Sequence, residues 1–129
     1  LENITLQGGN AQQFVAECGK RRSPHTCQIK AEQDGFIADI DAFKIGIAGV
    51  NLGVGRNKTT DAVCPDAGMM FHKHSGDAVK KGDLIMEVYG KDAECLPAAS
   101  DMIKTAIQYA AEKPRTRPLV FKEISAADV

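Results

Sequence analysis

Long apolar runs are missing from this chain of 129 residues. None approaches the ~18 residues that a membrane-spanning helix needs, so no membrane helix is expected within this stretch. Charge of one sign is also missing: 16 Lys and Arg stand against 17 Asp and Glu, a formal net charge of −1. That balance removes the electrostatic footprint of a nucleic-acid binder. No C-x-x-C pair occurs, and Cys18, Cys27, Cys64 and Cys95 lie at wide, irregular spacings. The spacings fit neither a zinc site nor a small disulfide scaffold, which leaves the expectation of free, mostly buried thiols in a reducing cytoplasm. No repeat of fixed period is present. No signal peptide is present either. The first residue is Leu1 rather than Met, from which we expect the chain to start inside a longer protein, with an upstream leader left open.

What is present suffices for one ordinary domain. Apolar residues make up 43% and charged residues 26%, enough for a core and too little charge imbalance for a disordered chain. The basic runs Lys20-Arg21-Arg22 and Lys80-Lys81 are short and are expected on solvated surface.

Along the chain, Asn10 with Gln13 reads as a capping box opening a helix that carries Phe14 and Val15 and stops near Gly19. Cys27, Ile29 and Ala31 alternate with Gln28, Lys30 and Glu32, a half-buried strand. Asp34-Gly35 makes a tight turn into a second strand over 36–40. Asp41 caps a helix over 41–52, with Phe43, Ile47 and Val50, together with Ala48, at helical spacing. Residues 53–61 form a polar, glycine-rich, exposed loop, and 69–73 a strand. Gly76-Asp77 and Gly82-Asp83 are turns, and Leu84, Met86 and Val88 alternate into another strand. Pro97 opens a helix whose stripe is Met102, Ile103, Ala106, Ile107 and Ala110, ended by Pro114. Leu119-Val120-Phe121 is a last short strand. The order α-β-β-α-β-β-α-β defines a mixed α+β domain.

Several residues invite a chemical reading. Gly53-x-Gly55 could expose backbone N–H groups to a phosphate. The pair follows a helix rather than a strand, however, and lacks a third glycine, so a helix C-cap leading into a loop competes equally. His72 and His74 share one strand face, but no third zinc ligand is evident. His25 beside Pro24 reads as a loop residue, and Met69-Met70-Phe71 as core. The segment from Gly82-Asp83-Leu84 to Tyr89-Gly90-Lys91 resembles a lipoyl or biotinyl carrier hairpin, with Lys91 near the place of the modified lysine. A carrier needs a second strand straight after that lysine, whereas Asp92 and a helix follow here.

Two stretches, residues 29–37 and 76–84, look like the halves of a small β barrel-sandwich in swapped order. The helix over 41–52 runs into Leu52-Gly53-Val54-Gly55-Arg56, followed by Asp61 and Gly68, then Gly76-Asp77-x-Val79 and Lys81-Gly82-Asp83-x-Leu84. The chain ends on a helix and Pro118-Leu119-Val120-Phe121-Lys122-Glu123-Ile124-Ser125. This ordered set resembles the C-terminal domain of the thymidine and pyrimidine-nucleoside phosphorylases over roughly residues 26–125. Cys64 and Thr59 depart from the acidic residue and the Lys common there.

The resemblance implies an α/β-hammerhead fold. It implies residues 1–22 as the tail of a preceding helical domain or linker, 23–125 as the family's C-terminal domain, and 126–129 as a polar tail. It also implies an accessory role in the reversible phosphorolysis of pyrimidine nucleosides to base and pentose 1-phosphate. Inorganic phosphate would be co-substrate and no cofactor would be needed. The parent would be a cytoplasmic homodimer in which this domain packs on the α/β catalytic domain, with no nucleic-acid or membrane partner. The catalytic residues would lie in that other part, so none is expected here. Gly53, Gly55, Arg56, Thr60 and Asp61 would face its cleft. A free-standing interaction module is the remaining alternative.

Overall fold

The structure, a computed structural model, describes residues 1–115, 120 and 122–125. The elements run α1 (Glu2–Leu6), α2 (Ala11–Glu17), β1 (Thr26–Lys30), β2 (Gly35–Ile40), α3 (Ala42–Leu52), β3 (Gly68–Phe71), β4 (Ala78–Val79), β5 (Leu84–Tyr89), α4 (Leu96–Ala106) and β6 (Ile107–Ala110). They build two antiparallel three-stranded sheets, β1-β5-β3 and β4-β2-β6. The domain is therefore mixed α and β with small antiparallel sheets.

No two consecutive strands pair among the described residues. The turn at Asp34-Gly35 does not fold β2 back onto β1; it passes the chain from one sheet to the other. In the first sheet Ile29 faces Met86 and Phe71 faces Met86 from the other side. In the second, Phe36 faces Ala78 on one edge and Ala110 on the other.

The two Gly-Asp turns tie the sheets' connections together in matching ways. Gly76 N–H donates to the carbonyl of Ile37 (2.7 Å), and Ile37 N–H donates to the carbonyl of Asp77 (3.0 Å). Likewise Gly82 N–H donates to the carbonyl of Ala31 (2.8 Å) and Ala31 N–H to that of Asp83 (2.8 Å). Each aspartate also closes its own turn: Asp77 Oδ2 accepts from His74 N–H at 2.7 Å and Asp83 Oδ2 from Lys80 N–H at 2.9 Å. The two stretches suspected as paired halves, 29–37 and 76–84, are thus joined by backbone exchange.

The core lies where α3 and α4 cover the sheets. Ile29, Ile37, Leu52, Ile85, Met86, Val88 and Ile103 are fully buried. Burying each such side chain contributes roughly 1.5–3 kcal/mol. Asp41 caps α3 as expected, its Oδ1 accepting from the N–H groups of Phe43 (3.0 Å) and Lys44 (3.1 Å). The end of α4 is fastened to the start of α3: Asp41 N–H reaches the carbonyl of Ala106 (3.0 Å). Lys44 Nζ reaches the carbonyl of Thr105 (3.0 Å).

Several sequence expectations are corrected. α1 is an addition to the sequence reading, whereas α2 ends as expected: its last residue is Glu17, Cys18 caps it, and Gly19 follows in the left-handed region at φ 72°. The capping box is half formed: Asn10 accepts from Gln13 N–H at 2.9 Å, but the Gln13 side chain turns to Glu17 at 3.0 Å. The predicted face of α3 holds only in part: Ala48 is buried and Val50 half-buried as expected, but Phe43 is 77% and Ile47 39% exposed, while Gly49 and Leu52 are buried and Ile45 packs against the core. The last helix stops at Ala106, well short of Pro114, because Ile107-Gln108-Tyr109-Ala110 pairs with β2 instead. The short β4 between the turns was also missed. Met69 and Phe71 pack on the core as expected, but Met70 is exposed. No thiol is fully buried: Cys18 is exposed and Cys27, Cys64 and Cys95 are half-buried, all free. The strand expected over 119–121 and the tail over 126–129 fall on residues outside the described set.

Candidate functional site

The glycine-rich loop begins at the C-terminus of α3. Gly53 takes the left-handed conformation (φ 99°) and its N–H bonds back to the helix, at the carbonyls of Gly49 and Val50. Val54 N–H also reaches the carbonyl of Gly49 (3.0 Å). The C-cap reading of Gly53 is therefore correct, and its own N–H is not offered to a ligand.

The loop is a closed excursion rather than a slack strand. Its ends meet where Cys64 N–H donates to the carbonyl of Gly53 (2.9 Å). Its tip is knotted by Asp61, whose Oδ2 accepts from the N–H groups of Asn57 (3.1 Å) and Lys58 (2.9 Å), while Asp61 N–H reaches the carbonyl of Lys58 (3.0 Å). The root is pinned by a residue distant in sequence: Lys91 N–H donates to the carbonyl of Leu52 (2.8 Å). The aliphatic stem of Lys91 lies across Gly53, so that a Cβ on Gly53 would sit 3.0 Å from Lys91 Cβ and 3.2 Å from its Cδ.

Under the loop is an open cleft of about 480 Å³. Gly53, Gly55, Asn57 and Asp61 line it from the loop, Val50 and Asn51 from the last turn of α3, and Lys91, Cys95 and Ala98 from the opposite wall. The Cys95 N–H donates to Asp92 Oδ1 at 2.9 Å and holds the Asp92 carboxyl below the ordinary carboxylate range. The Cys95 thiol donates to the carbonyl of Asp92 (3.1 Å).

Of the sequence-predicted residues, Gly53, Gly55 and Asp61 come together in this cleft. Arg56 and Thr60 do not line it; both are exposed. Lys91 joins the cleft instead. Its placement there rests on the α3–α4 packing and on the chain returning from β5, contacts remote in sequence, so no local pattern could have announced it. Lys91 stands in a turn between β5 and α4, not at a hairpin tip, which removes the geometry of a carrier lysine.

The other candidates are structural. His72 Nε2 pairs with Glu87 Oε2 at 3.0 Å and Tyr89 O–H donates to the same oxygen at 3.2 Å, which together hold the Glu87 carboxyl below its ordinary value. The His74 ring stacks on Phe71 at 6.2 Å. Among the described residues no group of three or more His, Cys, Asp or Glu side chains is arranged to hold a metal ion. The basic runs are solvated and partnered: Arg21 pairs with Asp66 (3.0 Å), and Arg22 lies over the Tyr89 ring at 5.2 Å. Burial pushes the Cys27 thiol upward, toward an unreactive neutral form. No helix among the described residues is long and apolar enough to cross a membrane.

Residues 36–110, from β2 to the end of β6 and including the whole loop and cleft, match the pyrimidine nucleoside phosphorylase C-terminal domain. The chain belongs to that family. It is 32% identical over 106 residues to a thymidine phosphorylase of Mycoplasma genitalium, covering 82% of this chain and 24% of the relative. It is 28% identical over 113 residues to a thymidine phosphorylase of Metamycoplasma hominis, covering 88% of this chain and 41% of the relative. A pyrimidine-nucleoside phosphorylase of Geobacillus stearothermophilus is 25% identical over 122 residues, 95% of this chain and 28% of the relative. The chain thus spans between a quarter and two fifths of the length of these relatives.

Proposed function

We propose that this chain is the C-terminal accessory domain of a pyrimidine-nucleoside phosphorylase, with the α/β-hammerhead arrangement of two small sheets under flanking helices. The observation that carries the proposal is the family match over residues 36–110, supported by relatives that bear phosphorylase names. The whole enzyme would cleave a pyrimidine nucleoside with inorganic phosphate as co-substrate, giving base and pentose 1-phosphate, in the cytoplasm and as a homodimer. This domain would pack on the α/β catalytic domain. The exposed apolar pair Phe43 and Ile47 on α3 supports such packing, since a large apolar residue left 77% exposed gains by being covered. Residues 1–22 would belong to the preceding helical part, in keeping with α1 and α2 burying none of their residues. The loop over 53–64 would sit at the edge of the catalytic cleft and contribute to its closure.

The test has two arms. Incubated with thymidine and phosphate, the chain alone should release no thymine, and turnover above buffer would overturn its accessory role. Substituted for the matching segment of the Mycoplasma genitalium relative, it should support phosphorolysis. A chimera that folds like that relative yet is inactive would overturn the assignment.

A further inference from the structure

The first sheet leaves one edge unguarded. We propose that β3 is a pairing edge for a second copy of this chain, which adds its own β3 antiparallel across a two-fold axis at Met70.

The register fixes which backbone groups are free. Gly68 lies opposite Tyr89 and Met70 opposite Glu87, and just beyond them His72 N–H donates to the carbonyl of Ile85 (2.8 Å). On the other side of β5, Gly90 N–H reaches the carbonyl of His25 (2.9 Å), so the even-numbered residues there serve β1 and the odd-numbered ones β3. In an antiparallel ladder a residue sends its N–H and its C=O to the same neighbour, and alternate residues point opposite ways. Residues 68, 70 and 72 therefore point at β5. The N–H and C=O groups of Met69 and Phe71 point away from it and bond nothing among the described residues. Open space adjoins both ends of the strand: one hollow is lined in part by Gly68, Met69 and Met70, another by Phe71 and Ile45.

The other edges carry the devices by which native sheets prevent such pairing. β1 is bulged between Ile29 and Lys30, with Lys30 exposed there. β4 has only two residues, and β6 joins β2 through a register shift between Ile37 and Asp39. β3 has no proline, no bulge and no charged side chain from Gly68 to Phe71.

The edge is complementary to itself, which selects a second copy over an unrelated strand. Met69 can exchange both hydrogen bonds with the partner's Phe71, and the two-fold axis repeats that pair, as an isologous contact requires. Between the two pairs Met70, already 37% exposed, meets its own counterpart. Beyond them Gly68 faces the partner's His72. These last are non-hydrogen-bonded pairs, whose Cα atoms come within about 4.5 Å. A Cβ on Gly68 would meet nothing within 4 Å, so the space opposite an imidazole is open. An aromatic ring laid over an edge glycine stabilises a sheet. Across the whole pairing no side chain meets another of like charge. The contact is small, below the roughly 1,200 Å² of a standard interface, so the dimer is weak.

The experiment uses the 129-residue chain and follows sedimentation and backbone amide shifts up to about 1 mM protein. The expected result is a dimer with a dissociation constant of about 0.1–1 mM, and concentration-dependent shifts centred on Met69 and Phe71. Met70→Lys sets like charges against each other at the axis and should weaken the dimer about fivefold or more. Its melt should stay within about 2 °C of the unaltered chain, because the side chain is exposed. An equimolar mixture of Met70→Lys and Met70→Glu should restore the pairing, since this register sets residue 70 against itself. A chain still monomeric at about 1 mM would overturn the proposal. So would a dimer indifferent to both substitutions, or one whose shifts centre on Phe43 and Ile47. Met69 and Phe71 amides protected from hydrogen exchange at every concentration would overturn it too, by showing the edge occupied within one molecule. None of these outcomes bears on the phosphorylase assignment, which rests on the chimera.

Discussion

Gly53→Ala tests the root of the loop. Gly53 holds φ at 99°, where a residue with a Cβ is strained by about 1–2 kcal/mol. Alanine recovers roughly 0.4–1 kcal/mol by stiffening the unfolded chain. The new Cβ would also stand 3.0 Å from Lys91 Cβ, a side-chain atom next to the backbone that cannot swing away. The net loss should be about 1–2 kcal/mol, which in a domain of this size lowers Tm by about 5 °C or more. Gly46→Ala is the matched control: it lies on an exposed face of α3, and its added Cβ would meet nothing within 4 Å. There alanine should stabilise by about 0.5–1 kcal/mol through helix propensity. Thermal and urea melts of both variants decide the matter. A Gly53→Ala melt within about 1 °C of the unaltered chain would refute the reasoning, as would shifts of the same sign at both positions.

Arg56→Ala should leave the melt unchanged within about 1 °C, because Arg56 is exposed and bonds none of the carbonyls at the end of α3; a clear drop would show a structural role. Asp41→Ala removes an N-cap that accepts two N–H groups and should cost about 1 kcal/mol in a urea melt, with Asp41→Asn recovering most of it. Glu87 is held below its ordinary value by His72 first and Tyr89 second. Its stabilising contribution is therefore present above the unfolded glutamate range near pH 4.5 and is lost as pH falls through the lower folded value. The stability difference between the unaltered chain and Glu87→Gln should accordingly be visible at pH 7 and shrink at pH 3; a difference that persists unchanged at pH 3 would contradict the pairing.

The sequence was most legible where one local signal stood alone. Asp41 before an apolar run gave the start of α3, Gly53 gave its end, and the Gly-Asp turns fell where the pattern put them. It misled where two periods coexist. Ala42, Phe43, Ile45, Ile47, Ala48, Val50 and Leu52 leave α3 apolar nearly all round, so periodicity cannot choose which side meets the core; contact with α4 and the sheet chooses Ala48 and Leu52. Ile107 and Ala110 continue the helical stripe of α4 and equally suit a strand, and pairing with β2 decides for the strand. The loop was legible as a loop, but its clasp at Cys64 and the arrival of Lys91 depend on contacts between distant parts of the chain.

The absence of paired consecutive strands among the described residues has a consequence for how this domain assembles. Thr26 must find Tyr89, and Phe36 must find Ala110, before either sheet is complete, and no tight hairpin among the described residues is available as a starting point. Large loops must close before their contacts repay the lost entropy. Folding should consequently be slow for the chain's length, in the millisecond-to-second range of topologies dominated by remote pairings. On the ribosome, the first sheet cannot form until β5 has emerged and the second cannot be completed until β6 has, so the domain stays unfinished until nearly all of its described residues are made.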